Sequence, residues 1–175
     1  MFSYSLETGA GEVRASRQLG EGEELSLAWV DPLSGAADRQ KMLQVDTSST
    51  SSTDPLILHA QGKYNFQCEC EVCSLDPEQL AANDKIRREI LGLTNNMEDI
   101  FVTNPQKAFR FAKMKVERME AIRGEMVELL PSTYLDCYEL CLALGEREIA
   151  EIFAVKGRQL AALLRGDNSL WSKIR

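Results

Sequence analysis

No run of apolar residues in this chain approaches the ~20 that a membrane-spanning helix needs, so nothing in it reads as a membrane span. The amino terminus, Met1-Phe2-Ser3-Tyr4, lacks the positive start and apolar stretch of a secretory signal. An intracellular location, nucleus and/or cytoplasm, is therefore expected. Basic residues are too few to outweigh acidic ones: 20 Lys and Arg stand against 27 Asp and Glu, a net charge of -7. That balance argues against direct nucleic-acid binding, which calls for clustered cations, while leaving room for a basic partner such as a lysine-rich tail. There is one histidine, His59, and five cysteines. In a reducing compartment such cysteines are better read as thiols or metal ligands than as disulfides.

What is present is an ordinary globular composition, 44% apolar over 175 residues, enough for one or two small domains. The first third reads as strands. Met1–Leu6 and Glu12–Leu19 flank a turn at Thr8-Gly9-Ala10-Gly11. A second turn at Gly20-Glu21-Gly22 leads to Glu24–Val30, where Leu25, Leu27 and Trp29 alternate with smaller residues as in a half-buried strand. Asp31-Pro32 ends it. Residues 36–45 predict a short helix with Arg39, Gln40 and Lys41 facing outward. The Ser/Thr-rich run from Asp46 to Pro55 has nothing to bury and predicts a loop.

The remainder predicts helices in antiparallel pairs. Asp76-Pro77 and Asn104-Pro105 are start signals. The first of these helices carries the stripe Ala82, Ile86, Ile90 and Leu93. The second carries Ala108, Phe111, Ala112, Met119 and Ile122. Ser132 is the expected cap of a third helix, with Tyr134, Tyr138, Cys141 and Leu142 on one face and a stop near Gly145. A fourth carries Ile149, Ile152, Phe153, Leu160 and Leu163 and stops near Gly166; Trp171 suits the packing of a final helix. Met97, Met114, Met119 and Met126 suit either a core or a peptide-binding groove. The expected class is α+β: strands first, a cysteine knuckle, then helices.

The densest chemistry lies in Tyr64–Cys73, where Cys68, Cys70 and Cys73 follow a C-x-C-x-x-C spacing. A tight turn brings three such sulfurs to ~2.3 Å from one tetrahedral zinc. Glu69 and Glu71 interleave the thiols and make the segment a poor core element. A closed structural site wants a fourth ligand, and His59, Cys137 and Cys141 are the candidates within the chain. Cys137 and Cys141, one helical turn apart in an apolar helix, read as core, and His59 as a solvated loop residue.

Those residues, with the strand before them, resemble the end of a SET domain and the post-SET zinc segment of SET-domain protein lysine methyltransferases. The likeness is to the helical-tailed SET proteins common in fungi, related to the MYND-associated SET enzymes. It rests on Gly22–Asp31, on Arg39-Gln40, and on Tyr64–Cys73. The resemblance implies the end of a SET domain over 1–45, a Ser/Thr-rich loop at 46–63, the zinc knuckle at 64–75 and a tetratricopeptide-like tail over 76–175. It implies zinc on Cys68, Cys70 and Cys73, in a site left incomplete within this chain; S-adenosylmethionine as the family's cofactor, near Phe66, but not bound by this chain alone; and a lysine-containing protein such as a histone tail as substrate.

The chain departs from the family in three ways. The family's Asn-His-x-Cys and Gly-x-Gly motifs, which form the cofactor pocket and complete the zinc site, fall before Met1. Trp29 occupies the position of the tyrosine that orients the attacking amine, and an indole N–H donates but cannot accept a hydrogen bond. The Ser/Thr loop is longer than the family pattern. A truncated, inactive methyltransferase piece is thus the expected function. A non-catalytic interaction module built on the helical tail is the alternative, and a small zinc protein unconnected with methylation ranks last.

Overall fold

In the computed structural model the described residues are 2–5, 10–15, 17–23, 30–44 and 67–165. Strands β1 (Phe2–Ser5) and β2 (Ala10–Val13) form an antiparallel hairpin with Phe2 opposite Val13 and Ser5 opposite Ala10. The helices are α1 (Ala36–Leu43), α2 (Pro77–Glu98), α3 (Pro105–Ala121), the single turn α4 (Arg123–Met126), α5 (Leu130–Ala143) and α6 (Arg147–Arg165). The chain divides into two compact units, Ala28–Arg88 and Met1–Leu27 with Glu89–Arg175; α2 contributes residues to both.

This corrects the expected α+β class. The described residues build a helical protein, and among them no sheet layer exists. Two strands of four residues each offer too little face to form a layer. The segment Glu24–Trp29, on which a larger sheet depended, lies outside the described residues, as do the Ser/Thr loop, His59, Tyr64, Phe66 and Trp171.

Helix boundaries follow local chemistry. The Asp76 carboxylate accepts from the backbone N–H groups of Glu78 and Gln79, each at 3.0 Å, ahead of Pro77. The Asn104 side chain accepts from Lys107 N at 3.1 Å ahead of Pro105. Both satisfy donors that a helix start leaves open. Ser132, expected to cap α5, instead lies inside it and donates to the Leu129 carbonyl at 2.8 Å. Pro131 explains the difference, since proline settles in the first helical turn and shifts the start upstream. At the other end Gly145 takes φ +79°. Its N–H reaches Leu142 O at 3.1 Å, and that of Glu146 reaches Cys141 O at 2.9 Å, the paired bonds of a glycine-terminated helix.

In the helical unit α5 packs against both α3 and α6, around a core that includes Ile90, Met97, Met119, Met126, Leu130, Leu140 and Leu164. Three of the four methionines considered for a groove are thus core; Met114 is exposed. The inner face of α6 consists of Ala150, Ala154, Gly157, Leu160, Ala161 and Leu164, whereas Ile149, Ile152 and Leu163 face out. Small residues let two helices approach closely, and here that outweighs burying every large side chain. Phe153 still packs inward, edge-on to Phe109 at 6.1 Å between centroids and beside Tyr134 at 6.3 Å. Glu120 of α3 accepts from the Tyr134 hydroxyl at 2.8 Å and from Lys156 Nζ at 3.2 Å, tying three helices together.

Candidate metal centre

The Ala28–Arg88 unit buries little that is apolar among its described residues. Among its described residues Leu43 is the buried hydrophobic, and the others buried are Arg39, Asn83 and Arg87. The apolar burial that these residues supply is small, so a further source of order among them matters.

Its cysteines supply a candidate. The sulfurs of Cys68, Cys70 and Cys73 lie within 4.8 Å of one another. A tetrahedral zinc with Zn–S bonds of ~2.3 Å spaces its sulfurs ~3.8 Å apart, so a small contraction closes the group on one ion. The backbone forms the cradle. Ser74 N donates to Cys70 O at 3.0 Å, Leu75 N to Val72 O at 3.2 Å, and the Ser74 hydroxyl to Glu69 O at 3.1 Å. This tight turn aims N–H groups at the sulfurs: that of Cys70 at Cys68, and those of Cys73 and Val72 at Cys70. Such donors favour thiolate.

Without a cation the thiols divide. Burial pushes Cys68 up to about 11, helped by its neighbouring thiols. Burial opposes ionisation of Cys70 as well, but hydrogen bonds from the Cys73 and Val72 backbone and from the neighbouring thiols bring it below its ordinary value. A bound dication draws all three toward thiolate. Soft sulfur donors on a tight turn fit zinc, and the three cysteines could hold it.

Neither Cys137 nor Cys141 joins this group. Both are buried in α5, and burial, with Asp136 next in weight, holds the Cys137 thiol at about 12. Their reading as core side chains is borne out. The other expected site residues, Trp29, Phe66 and His59, lie outside the described residues.

The residues that sequence reasoning missed are those around the knuckle. Arg39, expected to face outward on α1, is only 6% exposed. Its Nη1 donates to the Ser34 carbonyl at 2.6 Å and its Nη2 to Cys73 Sγ at 3.7 Å. The adjacent Gln40 accepts from the backbone N–H of Cys68 at 3.0 Å. Asp84 of α2 accepts from Ala36 N at 3.0 and 3.2 Å, closing the start of α1. Arg87 donates from Nε to Asn83 at 2.8 Å. Burial, then the nearby Arg39 charge, lowers it to about 10, while Asp84, Cys70 and Cys73 work the other way. One signal was available: Arg39 precedes the buried Leu43 by one helical turn, on the same face of α1.

Fold and site together define a helical protein with a cysteine-rich candidate metal centre. No family model matches the chain. In sequence it is similar to the histone-lysine N-methyltransferase set5 of Schizosaccharomyces pombe (strain 972 / ATCC 24843), with 27% identity over 162 residues and 90% of this chain. The chain spans less than half of that curated relative, 44% of its length. The similarity relates it to the class of protein that its sequence resembles.

Proposed function

We propose that this chain is part of a SET-type protein-lysine methyltransferase. In this reading its cysteine knuckle is the post-SET zinc segment and its helices are the tetratricopeptide-like tail. The supporting observation is a coincidence: a similarity extending over 90% of the chain contains three cysteine sulfurs gathered within 4.8 Å. The substrate is a lysine-containing protein such as a histone tail, the methyl donor is S-adenosylmethionine, and the place of action is the nucleus or cytoplasm. In that transfer the lysine nitrogen bonds to the methyl carbon, the carbon–sulfur bond breaks, and a proton leaves the amine. Position and a narrow polar channel do most of the work.

These 175 residues by themselves transfer no methyl group. Trp29 stands at the tyrosine position of the family pattern, and His59, the one histidine, follows Leu58 rather than an asparagine. The purified chain, given labelled S-adenosylmethionine and a histone-tail peptide, is expected to transfer no label above a no-protein blank. Turnover would show that the chain builds its own cofactor pocket and channel.

A further inference from the structure

We propose that Arg39 and Gln40, consecutive residues of α1, are the outer hold of the metal centre and set how tightly the knuckle retains zinc. Arg39 faces the sulfur of Cys73 with a positive charge, and Gln40 fixes the backbone of Cys68. The inference rests on the reading of the knuckle as a zinc site, and it concerns residues that are not ligands.

A buried cation needs an anion or a full set of acceptors. Arg39 is 6% exposed, and among the described residues no carboxylate forms an ion pair with it. One arm of its guanidinium is held by the Ser34 carbonyl at 2.6 Å, which leaves the other toward Cys73 Sγ at 3.7 Å. Among the described residues the Cys73 sulfur is therefore the acceptor that this buried charge faces. Three thiolates around a dication carry a net charge of −1, which an adjacent guanidinium offsets. A hydrogen bond to sulfur also spreads the thiolate charge without removing a ligand.

Gln40 acts at the other end of the triplet. Its side-chain oxygen accepts from Cys68 N at 3.0 Å, so one helix holds both the first cysteine and the last. The helix is itself held. Asp84 accepts from Ala36 N, and a Cβ at Gly35 would stand 3.3 Å from Asp84 Oδ2. Asp84 lies on α2, which starts at Pro77, directly after the knuckle. Knuckle, α2 and α1 thus form a closed circuit of contacts. Outer-sphere partners of this kind orient metal ligands, and losing one typically weakens metal binding by roughly 10–100-fold.

The test is zinc affinity and release from the full chain, read with a chromophoric chelator, with helix content followed by circular dichroism. The unmodified chain is expected to bind one zinc. Arg39→Met is expected to lose roughly 10–100-fold in affinity, and Arg39→Lys, which keeps the charge without the fork, to recover part of it. Gln40→Leu is expected to speed release. Lys41→Met removes a charge from the same helix at a side chain that is 80% exposed, and is expected to change nothing. Wild-type affinity in Arg39→Met overturns the proposal, as does an equal loss in Lys41→Met, which would reduce the effect to net charge. Should Arg39→Met lose its helical signal, Arg39→Lys decides: lower affinity supports the proposal and unchanged affinity overturns it. An unmodified chain that binds no zinc overturns the zinc reading, and this inference with it.

Discussion

At the scale of single residues, burial sorts the five thiols into two kinds. Cys70 is exposed, Cys68 and Cys73 are partly so, and Cys137 and Cys141 are buried. Burial raises the thiols of both α5 cysteines, and thiolate is the reactive form. In metal-free, folded protein a maleimide is expected to label Cys70 readily, Cys68 more slowly because burial holds its thiol at about 11, and the α5 pair only on unfolding; early modification of Cys137 would contradict the burial. Asp136 adds a pH sensitivity to this region. Burial raises its carboxyl above the ordinary 3.8, against the pull of Lys115 at 3.8 Å. A raised carboxyl binds its proton more tightly in the folded state, so the stability it contributes is present at low pH. That contribution is lost as pH rises through the folded-state value. Denaturation measured from pH 3.8 upward should show this falling component, and Asp136→Asn should remove it; an unchanged slope counts against the assignment. The cysteine triplet was legible because its chemistry is local in the chain. The burial of Arg39 was not, because the sulfur it faces is 34 positions away and a lone arginine on a short helix ordinarily faces water.

At the scale of elements, starts and stops were more legible than faces. Asp76-Pro77, Asn104-Pro105 and Gly145 act within a turn of their own positions, and the structure shows each in use. The faces of α6 depend on what packs against it. Counting large apolar residues selects Ile149, Ile152 and Leu163, yet the inner stripe is Ala150, Ala154, Gly157 and Ala161. Close approach to α5 decides the orientation, and single-sequence periodicity does not register it. The consequence is an inverted mutational profile. Ile152, 57% exposed, should accept Glu with a stability change within ~0.5 kcal/mol, as surface positions do. Ala154→Leu adds volume where none is free and should cost about 1–3 kcal/mol. Urea midpoints of the two variants check this; a larger loss from Ile152→Glu would mean that the outer face of α6 is covered.

At the scale of the whole molecule the two units rest on different physics. The helical unit has a continuous apolar core from α2 through α6, with Ile90, Leu130, Leu140 and Leu164 fully buried. The Ala28–Arg88 unit buries Leu43 among its described hydrophobics, and otherwise Arg39, Asn83 and Arg87. Among these described residues that interior gives little hydrophobic stabilisation, and a metal bound at the knuckle would add to it, because binding energy at such a site is also folding energy. Chelation should therefore act unevenly. Backbone amides of the knuckle and of α1 are expected to lose hydrogen-exchange protection when zinc is removed, while those of α3, α5 and α6 keep theirs. The polar network around Arg39 also predicts the order of loss. Cys68 N, bonded to Gln40 at 3.0 Å, and Ala36 N, bonded to Asp84 at 3.0 Å, should exchange together, since both bonds position the same short helix. Uniform loss across both units would mean that the metal supports the helical core as well. Unchanged protection in the knuckle would mean that its hydrogen bonds hold it without a metal, and the polar interior would then need another explanation.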